Sequence, residues 1–189
     1  MRAEEFLKIM HMAEGLKDAT RHCYTSKGRH ESVAEHSWRM CLMAFLLKED
    51  FPEANMEKVI QMCIIHDLGE VFTGDIPTFA KTPADEQREE NLLDEWVGSI
   101  SEPAGGRFKA LYDEMEKMTS LEAKIYKALD GLEALIQHNE SDIKTWADNE
   151  YSLNLTHGDD RVAFSPYLKA LREAVREETK EKIARGEKG

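Results

Sequence analysis

Long apolar runs are missing from this sequence. The longest, residues 40–47, is far shorter than the roughly 20 residues a membrane-spanning helix needs, so no membrane association is expected. The amino terminus, Met1-Arg2-Ala3-Glu4-Glu5, lacks the basic and then apolar profile of a secretory signal. Cysteine is scarce and unpaired: Cys23, Cys41 and Cys63 form an odd set with no framework spacing, which excludes a disulfide scaffold and points to a reducing, cytoplasmic location. Cys41 and Cys63 lie in apolar stretches and read as small core residues. Basic charge is also in deficit. With 25 Lys and Arg against 37 Asp and Glu the net charge is −12, which opposes a nucleic-acid polymer as partner, because such a partner needs a basic stripe to release counterions. A small anion held at one basic spot stays compatible with that charge.

What is present is helical patterning. The 189 residues, 41% hydrophobic with 5 Pro and 11 Gly, suit one globular domain. Phe6, Ile9, Met10, Ala13 and Leu16 recur at helical spacing as an inward face. Residues 17–31 lose the period and, with Thr25, Ser26 and Gly28, read as an irregular loop. Ser32-Val33-Ala34-Glu35 has the form of a capping box and opens a helix to about Lys48, with Met40, Met43, Ala44 and Leu47 inward and its most apolar part deep in the fold. Asn55 caps a third helix that reaches His66 and Asp67, with Gly69 near its end. Thr82-Pro83 starts another helix toward Trp96. Further helices follow from Phe108, Leu111, Tyr112 and Met115, and from Leu121, Ile125, Ala128, Leu132 and Leu135. Ser165-Pro166 starts the last, with Leu168, Leu171 and Val175 on one side before a charged tail. The one candidate strand is residues 151–155. The fold class expected is all-α, as a single domain over residues 1–189, its motif-bearing part about 1–140 and a helical extension over 141–189.

Three stretches carry chemistry: Glu35-His36, His66-Asp67-Leu68-Gly69-Glu70 and Thr73-Gly74-Asp75. Imidazole with carboxylate suits a divalent cation of borderline to hard character, Mn, Co, Fe, Ni or Zn. Adjacent helical side chains diverge by about 100°, so His66 and Asp67 could share a cation lying between them. Glu70, four residues after His66, would sit beside that cation and could take a proton from a bound water. The bland alternative is a histidine drawn to a helix end by the dipole. Against it, the pair His66-Asp67 interrupts an apolar run, where burial without partners is costly.

With those residues in view, the sequence resembles the HD superfamily of metal-dependent phosphohydrolases. Arg21, the stretch Arg29-His30-Glu31-Ser32-Val33-Ala34-Glu35-His36, the stretch His66-Asp67-Leu68-Gly69-Glu70-Val71-Phe72-Thr73-Gly74-Asp75-Ile76-Pro77, and residues 122–130 are similar to its 5′-deoxynucleotidase branch, over roughly residues 1–140. The resemblance implies that His36, His66, Asp67 and Asp130 ligate one divalent metal ion. Asp130 is selected by the resemblance alone, since by itself it reads as a solvated aspartate. The resemblance further implies that Glu70 acts on the attacking water and that Asp75 is its companion acid near the phosphate. Which of the two is acid and which base stays open.

The segment before the first ligand is the expected phosphate grip. Lys17, Arg21, Lys27 and Arg29 against Asp18 leave a local excess of three positive charges in an acidic protein, with His22 and His30 beside them. Guanidinium forks suit a phosphate monoester, and Arg21 and Arg29 both match family positions. His22 stands where the deoxynucleotidases carry tryptophan beside the sugar, which leaves selection against the ribose 2′-hydroxyl open. Trp96 reads as core, and Trp38 as core or site lining. Three activities compete: hydrolysis of nucleoside, above all deoxynucleoside, 5′-monophosphates by metal-activated water; cleavage of a nucleoside triphosphate or cyclic dinucleotide; and non-catalytic binding of metal and nucleotide. The first is favoured: the short chain and the absence of a second His cluster for a binuclear site count against the second, and Glu70 and Asp75 have no use in pure binding. The resemblance also implies a homodimer, to which the last helix could contribute apolar surface.

Overall fold

The computed structural model describes residues 1–186; the end of the charged tail, residues 187–189, lies outside them. Helices dominate: α1 (Ala3–Ala13), α2 (Val33–Leu46), α3 (Met56–Ile65), the single turn α4 (Glu70–Thr73), α5 (Pro83–Gly98), α6 (Ala104–Lys117), α7 (Leu121–Glu140), α8 (Glu150–Thr156) and α9 (Pro166–Gly186). Their starts follow local chemistry. Ser32 accepts from the Glu35 amide while Glu35 reaches back to the Ser32 amide, a complete capping box, and Thr82 and Asp85 do the same ahead of Pro83 at α5. Asn55 and Ser120 cap α3 and α7 through their side chains.

The centre of the molecule is the mutual packing of α2, α3 and α7. Met40 and Ala44, Val59 and Met62, and Ile125, Leu129 and Leu132 supply its fully buried side chains, each large one worth roughly 1.5–3 kcal/mol of burial. From the other side Leu168 and Val175 of α9 join the same core. Two of its polar residues are also buried: Thr179 Oγ1 donates to Asn139 Oδ1 at 2.8 Å, and Arg172 Nε donates to the His157 carbonyl at 3.0 Å. The apolar stripe of α9 is therefore used inside the monomer and is not free for a second copy.

Several expectations are corrected. Residues 17–31 hold an antiparallel hairpin, β1 (Thr20–Tyr24) and β2 (His30–Ser32), pairing Thr20 with Ser32 and Tyr24 with His30. Its inward residues are Arg21, Cys23 and Glu31, so charge at buried positions hides the two-residue period that marks a strand. Gly28, at φ +80°, makes the turn. Residues 151–155 are helical within α8, where the buried pair Glu150 and Asn154, four apart, faces inward. In α1 Ile9 is buried while Phe6 and Met10 are exposed. Along α2 Met40, Ala44 and Leu47 are buried as expected and Met43 is half-buried, while Trp38, Leu42, Phe45 and Leu46 face outward, so the apolar character of this helix is not all spent on the core.

Candidate metal centre and active site

His36 sits one turn into α2 behind the capping box, three residues after the buried Val33, so the helix turns both inward. His66 and Asp67 follow the last residue of α3. That helix end is held by the Tyr112 hydroxyl, which donates to the Ile65 carbonyl at 2.6 Å, and by tight turns from Leu68 to Ile65 and from Glu70 to Asp67. Asp130 projects from α7. The four side chains meet: His66 Nε2 lies 2.9 Å and His36 Nε2 3.9 Å from Asp67 Oδ2, and His36 Nε2 lies 3.4 Å from Asp130 Oδ1.

Both imidazoles turn their Nε2 atoms to this point. His36 Nδ1 donates to Glu133 Oε2, and His66 Nδ1 donates to the Cys63 carbonyl at 3.0 Å, the arrangement that fixes a ligating histidine in the needed tautomer. His66 Nε2 is buried and lacks a hydrogen bond despite its nearness to Asp67; Glu70 Oε2 and Asp75 Oδ2 are likewise buried and unpartnered. Orphaned polar atoms of this kind cost about 1–3 kcal/mol each. His36, His66 and Asp67 offer ligand atoms within 4.8 Å of one another and Asp130 Oδ1 stands 3.4 Å from His36 Nε2, and two imidazoles with two carboxylates so placed are a donor set that fits a divalent cation.

Electrostatics agree with the geometry. Burial would raise the Asp67 carboxyl, yet His66 and His36 hold it at about 2, and Lys127 with His36 holds Asp130 well below the carboxylate range against its own burial. Burial and Arg21 pull His36 down, but hydrogen bonds to Asp130 and Glu133 outweigh them and leave it near 9. Burial, reinforced by Asp67 and Asp75, pushes Glu70 up to about 10. Asp75 is raised by burial while Arg21, His22 and His36 pull the other way. Asp75 follows Gly74, whose φ of +74° permits the sharp exit from α4.

Arg21 and His22 line a cavity of about 190 Å³ with Phe79, His138, Glu150 and Asn154. Arg21 is buried, its Nη1 bonded to Glu31 at 3.0 Å and Glu133 at 3.2 Å. Arg29 is not brought to this cavity: it pairs bidentately with Glu35 on the surface, in a groove that Trp38 also lines. Trp96 packs edge-on against Phe108 at 5.5 Å, and Trp146 is buried against His138. A second cavity, about 870 Å³, reaches His66 and Tyr126 from the other side.

Sequence reasoning missed the residues behind the cluster. Glu133, three after Asp130, is fully buried and ties His36 to Arg21. Lys127, three before Asp130, bonds its Oδ2 at 2.8 Å. Lys127, Asp130 and Glu133 share one face of α7 at three-residue steps, a pattern that in sequence reads as a solvated stripe. Glu31 and Lys81, which bonds Glu89 at 2.8 Å, formed no such pattern.

A helical scaffold that gathers histidine and aspartate from α2, the end of α3 and α7 is the HD class of domain. The profile of the HD domain family matches residues 13–172, and the chain belongs to that family. It is similar to the human 5′-deoxynucleotidase HDDC2, 30% identical over 142 residues, 73% of this chain and 69% of that protein. Among solved structures it is similar to one titled a predicted metal-dependent phosphohydrolase from Magnetospirillum magnetotacticum, with TM-score 0.83 and 26% identity over 96% of this chain and 94% of that one. A conserved hypothetical protein from Pyrococcus furiosus aligns with TM-score 0.73 and 27% identity, covering 90% and 99% of the two chains.

Proposed function

We propose that this protein is a metal-dependent phosphohydrolase that removes phosphate from nucleoside 5′-monophosphates, deoxynucleotides among them. The observation that carries the reading is the meeting of two histidine Nε2 atoms and two aspartates beside two further carboxylates, Glu70 and Asp75, each with one buried oxygen that has no partner. The human relative's name, 5′-deoxynucleotidase, supports the substrate class.

His36, His66, Asp67 and Asp130 would hold the divalent ion. When bound, such an ion polarises a phosphoryl oxygen and acidifies water. Glu70, one turn beyond His66, orients the attacking water and accepts its proton as the carboxylate, the form that a cation beside Asp67 would favour by offsetting the acidic neighbours that keep it protonated without one. Asp75 lies where Arg21 and His22 act on its charge and hands a proton to the departing sugar oxygen. Arg21 keeps positive charge at the wall of the smaller cavity, where the phosphate's equatorial oxygens gather negative charge. His22 and Phe79 bound the space left for the nucleoside.

Cytoplasmic residence is part of the same reading, supported by three free cysteines. So is a homodimer, supported by the exposed Trp38, Leu42, Phe45 and Leu46 on α2. The test is direct. Purified protein loaded with Mn²⁺ or Co²⁺ is offered nucleoside mono- and triphosphates and a cyclic dinucleotide, and inorganic phosphate is measured. Release from monophosphates is expected; metal uptake with no release from any compound would leave a binding module instead.

A further inference from the structure

A second convergence of ligand atoms lies in the smaller cavity. His22 comes from β1, His138 from the end of α7 and Glu150 from the first turn of α8. His22 Nε2 is 3.2 Å from His138 Nε2 and 3.0 Å from Glu150 Oε1, and His138 Nε2 is 3.5 Å from that same oxygen. For a tetrahedral cation with metal–nitrogen and metal–oxygen bonds near 2.0–2.2 Å, neighbouring ligand atoms stand about 3.3 Å apart. All three edges fall close to that value.

Protons do not satisfy such a triangle. A neutral imidazole carries one N–H. One proton can serve the contact between two of the three atoms, and a second brings two N–H groups face to face. A cation at the centre satisfies all three contacts together. Packing and one carboxylate contact hold the ligands, while the Nδ1 atoms of both histidines are buried without a partner. The Glu150 Oε2 atom accepts from the Ala147 amide at 2.6 Å, which leaves Oε1 turned toward the histidines. Trp146 stands edge-on to His138 at 5.8 Å between ring centres, its indole N–H bonded to the His138 carbonyl at 3.1 Å, and Phe79 stands edge-on to His22 at 5.5 Å.

We propose that His22, His138 and Glu150 form a second cation site, separate from the His36 cluster and suited to zinc or another borderline divalent ion. Protein supplies three ligands and the cavity lined by Arg21, Asn154 and His157 supplies room for a fourth, from water or a small anion. Three protein ligands with one open position is the coordination of reactive rather than purely structural zinc.

Elemental analysis after equilibration with Zn²⁺ and removal of excess tests this, alongside Co²⁺ absorption, which is intense for four-coordinate sites and weak for six-coordinate ones. Wild type should hold about two equivalents, and His138→Asn and Glu150→Gln about one each. The intense Co²⁺ bands should vanish in those two variants and persist in Asp67→Asn. The wild-type measurement stands even if one variant fails to fold. A single wild-type equivalent that Asp67→Asn abolishes overturns the second site. A single equivalent that Glu150→Gln or His138→Asn abolishes, while Asp67→Asn leaves it, instead overturns the metal ligation proposed for the His36 cluster.

Discussion

The two sides of the His36 ring present opposite solutions to buried charge. On the Nδ1 side opposite charges meet: Glu133 Oε2 takes the ring N–H and the Arg21 guanidinium, Arg21 also bonds Glu31, and Arg39 approaches Glu133 Oε1, which has no hydrogen bond of its own, at 3.6 Å. On the Nε2 side acidic groups accumulate without enough positive charge. His66 Nε2, Glu70 Oε2 and Asp75 Oδ2 are buried and unpartnered, and Glu70 is forced toward its neutral form. A network in which buried groups have partners rigidifies what it touches. An unsatisfied one marks where something else binds. The matched side positions the ring, and the unmatched side is reserved for cation and substrate.

The largest test of this contrast is Glu70→Gln. The amide keeps the size of the carboxyl and cannot accept a proton from water. Turnover should fall about 10²–10⁴-fold, while cation content measured by elemental analysis stays that of wild type. Loss of the cation would place Glu70 among its ligands and erase the distinction between the groups that hold the ion and those that work beside it.

Next in size is Glu133→Gln on the matched side. His36 Nδ1 loses its charged acceptor and Arg21 one of two counterions. Outer-shell changes of this kind cost 10–100-fold in metal affinity, so the dissociation constant for Mn²⁺, read by titration calorimetry, should rise by about that factor. Unchanged affinity would mean that the Glu133 contact is structural only.

This contrast also explains what was legible in the sequence. Helices whose buried face is apolar announced themselves: α2, α3 and α7 follow from Met40, Val59, Ile125 and their neighbours at helical spacing, and the first two also from caps at Ser32 and Asn55. The hairpin did not, because Arg21 and Glu31 occupy its inward positions and the period that betrays a strand is one of hydrophobicity. The same holds at the site. His66 and Asp67 stood out as polar residues interrupting an apolar run. Asp130 needed the family resemblance, since its helical face also carries Lys127 and Glu133 and looks like a solvated stripe. Arg29 was misleading for a related reason: its charge is spent on Glu35 at the surface, and a sequence does not reveal which partner a long side chain will reach.

The smallest expected effect concerns stability and has an unusual sign. In metal-free protein the folded-state pKa of Glu70 is about 10, above the roughly 4.3 of an unfolded glutamate. Folded protein therefore binds more protons at this site than unfolded protein does, between those two values. Stability is fully present below the unfolded pKa and declines as pH rises toward the folded one. His36, held near 9 against an unfolded value of about 6.5, declines over the upper part of the same window. It does so equally in wild type and in Glu70→Gln, so it cancels from their difference. Glutamine imitates the protonated carboxyl at every pH. In protein stripped with a chelator, Glu70→Gln should match wild type in urea unfolding at pH 4 and exceed it at pH 8, by no more than the roughly 5 kcal/mol that a rise from about 4.3 to about 10 allows there. Added Mn²⁺ should narrow the gap, since the cation relieves the repulsion from Asp67 and Asp75 that the substitution removes. Parallel pH profiles for the two metal-free proteins would show that the unmatched side carries no strain, and the two faces of His36 would then differ in wiring but not in energy.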